Sequence, residues 1–182
     1  MKLSINITLL LILFSLNHFT FSQEINSDVK KILLNIFGEN SNLSYSKYNI
    51  DIYVKELIEK KVNQKFHSNF IYLYTIKIDN KITGYAILDN VFGKSLPITF
   101  LVLFDKDGNI LASHIIKYRE PYGGAVKNEN WNRQFLGKNW QSTFEVGKDI
   151  SSISGATISV NSVAKGIHKL TLLIKEIIFN NE

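Results

Sequence analysis

The change of hydrophobic period at Phe70 constrains this chain more than any other feature. From there to Tyr118 apolar residues recur with a period of two, in four runs separated by tight-turn residues. Phe70-Ile71-Tyr72-Leu73-Tyr74-Thr75-Ile76-Lys77-Ile78 is β-branched and aromatic, Asp79-Asn80-Lys81 turns it, and Ile82 to Leu88 returns beside it. Pro97 to Phe104 is a third run, Asp105-Lys106-Asp107-Gly108 a turn with a glycine, and Asn109 to Tyr118 the fourth. Four consecutive strands with short connections form an antiparallel meander.

A sheet of this kind needs a cover, and the end of the chain supplies one. Val160, Val163, Ile167, Leu170, Ile174 and Ile177 make a continuous stripe at helical spacing from about Ser154 to Phe179. At the other end, Val29, Ile32, Leu33 and Ile36 form a short amphipathic helix stopped by Gly38. Residues 39–46 read as a polar loop, and Val54, Leu57, Ile58 and Val62 as a second helix. The class is α+β, an antiparallel meander packed by a long C-terminal helix with short N-terminal helices. The expected organisation is a signal peptide at 1–22, a helical extension at 23–67 and the sheet domain at 68–182.

The signal assignment rests on Lys2, the apolar run Ile7 to Leu16, and small residues Thr20 and Ser22 ahead of a cut before Gln23. That run is shorter than a membrane span of ~20 residues. The expected destination is the periplasm or cell exterior, with membrane association if the segment is not cleaved. With no cysteine among 182 residues, the chain has no disulfide framework, thiolate metal site or c-type haem motif. The net charge of +5, from 21 basic and 16 acidic residues, is spread as single lysines and Lys-Lys pairs, which argues against a nucleic-acid footprint. His67, His114 and His168 lie far apart, with no metal-ligand spacing.

Ser154-Gly155-Ala156-Thr157-Ile158-Ser159 opens the last helix. Small residues let a ligand approach the backbone, and the first N–H groups of a helix are unpaired donors at the positive end of its dipole, which suits a phosphate. Ser154, Thr157 and Ser159 add hydroxyls that can bond a phosphate or be esterified to one. The same residues equally serve as helix caps. Further upstream, Arg119-Glu120-Pro121-Tyr122-Gly123-Gly124 is a stiff-then-flexible loop, and Trp131 and Phe135 follow at helical spacing, as core or as ligand contacts.

Ser-Gly-Ala-Thr before a C-terminal helix, in a cysteine-free exported chain, resembles the FMN-binding domain family, which includes the G subunit of Rnf complexes and the C subunit of the sodium-translocating NADH:quinone reductase. The resemblance runs from about Phe70 to Ile178. It implies that a flavin transferase joins the phosphate of FMN to Thr157, with Ser154, Gly155, Ala156 and Ser159 around the attachment. The loop Glu120-Pro121-Tyr122-Gly123-Gly124 resembles, in altered form, the family's glycine loop beside the isoalloxazine, and the segment Trp131 to Lys138 is similar to stand-alone members. Glu120 or backbone N–H groups would then bond the flavin's pyrimidine edge, and Trp131 would stack on it. Ser151 stands where the family motif usually has Asp, with Asp149 two residues upstream. The implied role is electron carriage to a redox partner protein or membrane electron-transport complex, without nucleic acid or metal; the alternative is a non-flavinylated ligand- or protein-binding module on the same fold.

Overall fold

A computed structural model describes residues 26–180. The signal expected at 1–22 lies outside the described residues. The chain divides into a unit ending at Glu39 and a compact unit Asn40–Glu182. In the first, helix α1 covers residues 26–37 and ends where the N–H of Gly38 bonds the carbonyl of Leu34 (2.8 Å).

The second unit contains β1 (Asn42–Asn49), α2 (Ile52–Val62), β2 (Phe70–Ile78), β3 (Lys81–Phe92), β4 (Pro97–Asp105), β5 (Ile110–Lys117), α3 (Glu129–Asn132) and α4 (Thr157–Phe179). Its five strands lie in sequence order, each antiparallel to the next. The α+β class and the meander read from sequence are therefore present, with one strand more than expected. Residues 42–49, within and beyond the expected loop, pair along their whole length with β2, from Asn42 opposite Lys77 to Asn49 opposite Phe70. The helical extension assigned to residues 23–67 thus contains a strand, and both β1 and α2 belong to the compact unit with the sheet.

Turn chemistry fixes the register. Asp79 (φ 50°) and Asn80 (φ 61°) form a two-residue connection between paired Ile78 and Lys81, both in the left-handed region that short polar side chains tolerate and that matches strand twist. Between β4 and β5, Asp105 Oδ1 accepts from the N–H groups of Asp107 (2.9 Å) and Asn109 (2.8 Å), closing the turn from within. The outer edge of β5 is capped at its start: Ile110 N–H donates to Lys138 O and Gly137 N–H to Ile110 O, both 2.8 Å.

Helix α4 packs across the sheet face formed by Leu73, Ile87, Val91, Phe100, Val102 and Phe104, burying Val160, Val163, Ala164, Ile167, Leu170, Ile174 and Ile177 fully. Each buried Val, Ile or Leu side chain contributes about 1.5–3 kcal/mol. Close approach is set at Gly166, where a Cβ would fall 2.8 Å from side-chain atoms of both Phe100 and Val91. Helix α2 starts at Asp51, which accepts from Tyr53 N–H (2.9 Å) and Val54 N–H (3.2 Å), and buries Ile58 and Val62. Beyond it, Gln64 Nε2 donates to Ser162 O on α4 (2.9 Å).

Candidate functional site

The first turn of α4 faces the loop that follows β5. Ala156 occupies the N-cap position and no side chain caps the N–H groups of the turn; the first intrahelical bond runs from Val160 N–H to Ala156 O (2.9 Å). The capping role open to Ser154, Thr157 and Ser159 on sequence grounds is thus not taken by any of them. Unpaired N–H groups at a helix start carry partial positive charge and attract an anion. Thr157 is the first helical residue and is exposed.

Opposite this turn, three successive residues hold the loop by three separate anchors. The Tyr118 hydroxyl donates to Tyr122 O and lies 2.9 Å from Ser159 Oγ, so the Ser159 hydroxyl donates to Tyr118 Oη. Arg119 Nη1 donates to Pro97 O and Thr99 Oγ1, both 3.0 Å. Glu120 Oε1 accepts from the N–H groups of Ser95 (2.5 Å) and Leu96 (2.7 Å), fixing the β3–β4 turn against the loop. The Leu96 and Ser95 amides hold the Glu120 carboxyl below its ordinary range, outweighing the small upward push of desolvation.

Between these elements lies an open cleft of about 540 Å³, large enough for a cofactor-sized ligand. Of the residues expected at the site, Thr157, Gly155, Ala156, Ser159, Glu120, Tyr122 and Gly123 line it. They come from segments more than thirty residues apart. Lys94, Ser95, Leu96, Pro121 and Ile158 complete the lining. Leu96, Tyr122 and Ile158 are 41%, 83% and 50% exposed, an apolar cluster gathered at an anion-attracting helix end. Lys94 adds a cation.

Three expected residues lie elsewhere. Ser154 precedes the lining, and Gly124 starts a 3-10 turn, Gly124–Lys127, beside the ring of Tyr118. Trp131 belongs to the core: it is 6% exposed, meets Phe135 edge-on at 5.2 Å, and its Nε1 donates to Ser151 O (2.9 Å). Its large apolar ring is better buried than stacked on a ligand, and its N–H finds an acceptor in the segment leading to Thr157. Ser159 is likewise committed to Tyr118, and Glu120 Oε1 to two backbone amides. Both are positioning residues in the geometry on view.

The neighbours of Trp131 share its task. Gln134 Oε1 accepts from Ser151 N–H (2.7 Å), and Lys138 Nζ donates to Asp149 Oδ2 (2.7 Å). Asp149 also accepts from Thr143 Oγ1 (3.0 Å) and Glu145 N–H (2.6 Å). Desolvation raises its pKa, but the bonds from Lys138, Thr143 and Glu145 outweigh that and leave it below the usual carboxylate range. The segment from Trp131 to Lys138 therefore fixes the approach to the helix start.

Residues 93–171 match the sequence model of the FMN-binding domain family. The match opens on the β3–β4 turn and closes within α4, spanning every segment that lines the cleft. Comparison with curated proteins gives no match.

Proposed function

We propose, from the membership of residues 93–171 in the FMN-binding domain family, that this chain is an exported electron carrier whose FMN is esterified through its phosphate to Thr157. The observation carrying the reading is the cleft, which sets an exposed threonine hydroxyl, an uncapped helix start and an exposed apolar wall within one concavity. The donor set suits the group. First-turn N–H groups of α4 and the Lys94 ammonium complement a phosphate, and Leu96, Tyr122 and Ile158 offer apolar surface to a planar ring.

Bound FMN supplies one- and two-electron chemistry. The chain's contribution is attachment, orientation and shielding. Tyr118 ties the loop to the helix while Arg119 and Glu120 tie it to β4 and the β3–β4 turn, so the cofactor enters a formed site and little ordering cost is left to its binding. In the attachment step the Thr157 hydroxyl oxygen bonds to phosphorus of a flavin donor, the donor's leaving group departs with its electron pair, and the hydroxyl proton passes to a base of the flavin transferase. An ester keeps the cofactor with a protein in the periplasm or outside the cell, where lost FMN is not readily recaptured. The electron partner is a redox protein or a membrane electron-transport complex.

One arrangement favours a second reading, a ligand- or protein-binding module without the ester. Ser151 stands where the family motif has Asp, and the nearby Asp149 is engaged by Lys138, Thr143 and the Glu145 amide. The two are separated by co-expressing the chain with a flavin transferase and measuring intact mass and in-gel flavin fluorescence. The expected result is a fluorescent band and a mass raised by one flavin mononucleotidyl group, both lost in Thr157→Ala. A mass equal to that of the bare polypeptide overturns the ester, and fluorescence persisting in Thr157→Ala overturns the residue.

A further inference from the structure

A second cleft, of about 510 Å³, lies between α2, the segment after Gly137 and the outer side of α4, and it shares no lining residue with the first. Its α4 wall carries Asn161, Lys165 and His168, spaced four and three residues apart and therefore on one helix face. Its second cation, Lys61, comes from the last turn of α2. Neither Lys61 nor Lys165 is in an ion pair with any described residue, and Glu145, the acidic residue of the lining, is taken by Lys148 at 2.8 Å.

The cleft also has an aromatic wall. The Phe144 ring and the His168 imidazole stack at 4.7 Å with planes 13° apart, and half-buried Trp140 lines the same space. Burial, reinforced by the Lys61 charge, pushes the His168 pKa down to about 4, against a smaller opposing effect of Asp149. At neutral pH the imidazole is therefore an uncharged flat surface with ring nitrogens able to donate and accept, and the positive charge of the cleft resides on the two lysines. Unpaired cations beside an aromatic stack complement a ligand with one flat apolar end and one anionic end. A neutral apolar ligand leaves the ammonium groups unused, and an inorganic anion leaves the rings uncovered.

We infer that the cleft between α2 and α4 is a binding site for a small aromatic anion, held by Lys61 and Lys165 and packed against Trp140 and the His168 imidazole that Phe144 backs. The chain's two tryptophans give a local readout, since Trp140 lines this cleft and Trp131 lies in the core. The purified protein, flavin-loaded and as Thr157→Ala, is titrated with 2-naphthoate while both indole N–H signals are followed by NMR. The Trp140 signal is expected to shift saturably at sub-millimolar ligand in both forms, with the Trp131 signal still. Lys61→Gln/Lys165→Gln should weaken binding about tenfold or more, the scale of losing charge-assisted hydrogen bonds, and neutral 2-naphthamide should bind the native protein weakly by a similar factor. No saturable shift, equal binding of the amide, or unchanged affinity in the double lysine variant overturns the site. Because the Thr157→Ala form carries no ester, a negative result there counts against this cleft and not against the flavin reading.

Discussion

Gly123 shows how one residue can set the width of the cleft at the start of α4. Its φ is +81°, and a Cβ added to it would stand 2.7 Å from Tyr118 Oη and 2.9 Å from Ser159 Oγ, the two atoms whose bond ties loop to helix. Gly123→Ala therefore combines left-handed backbone strain with displacement of that bond, and should destabilise the fold by about 1–3 kcal/mol. Tyr118→Phe removes only the hydroxyl and should cost about 0.5–1.5 kcal/mol. Urea unfolding of the two variants checks the order, and a Gly123→Ala cost no greater than that of Tyr118→Phe defeats it. Sequence alone identified Gly123 as a flexible-loop residue, because glycine after Pro121-Tyr122 marks a turn. Its steric role depends on Tyr118 and Ser159, which are 41 residues apart, and no local pattern joins them. The same limit applies to Glu120, whose bonds from the Ser95 and Leu96 amides clamp two loops together and have no local sequence signal.

Among the elements, α4 was the most legible and β1 the least. A 23-residue amphipathic helix declares itself by its stripe, whereas Asn42-Leu43-Ser44-Tyr45-Ser46-Lys47-Tyr48-Asn49 is mostly polar and exposed and becomes a strand through its pairing with β2. Edge strands of this composition resist further pairing and look like loops for the same reason. A third feature escaped sequence reading: Lys169, on the apolar side of α4, is fully buried with Nζ 3.0 Å from Asp89 Oδ2 of β3 and 3.2 Å from Lys65 O, and lies over the Phe66 ring. The Asp89 contact is an ion pair without hydrogen-bond alignment, so its contribution is chiefly charge neutralisation. Asp89→Asn leaves the ammonium unneutralised and should cost about 3–5 kcal/mol, while Asp89→Leu with Lys169→Met should recover most of that loss. Chemical denaturation of the single and double variants decides it; a double variant no more stable than Asp89→Asn removes neutralisation as the cause.

At the scale of the whole molecule, sequence motifs marked half of the first cleft and none of the second. For the first cleft the helix start and the glycine loop were visible as motifs, but Lys94, Ser95 and Leu96 reach it only because β3 and β4 pair in register and deliver their turn to the loop after β5. The second cleft had no sequence signature, because its cations sit on two helices that meet only in the fold. Its imidazole has a consequence for the entire fold. His168 takes up its proton near pH 4 in the folded chain and near 6.5 when unfolded, so between those values the unfolded state binds more protons and stability falls as pH falls. The contribution is fully present above 6.5 and is lost progressively towards 4. Burial lowers the pKa of His114 as well, which acts in the same direction from 6.5 downward, whereas the depressed carboxyls of Glu120 and Asp149 begin to act only as pH falls through their ordinary values of 4.5 and 3.8. His168→Gln keeps a planar polar side chain without the titration, and should flatten the stability profile between pH 6.5 and 4 relative to the native chain while leaving the steeper loss below that range. Urea midpoints measured across pH 4–7.5 provide the check: parallel profiles for the native and variant proteins would place the titrating group elsewhere.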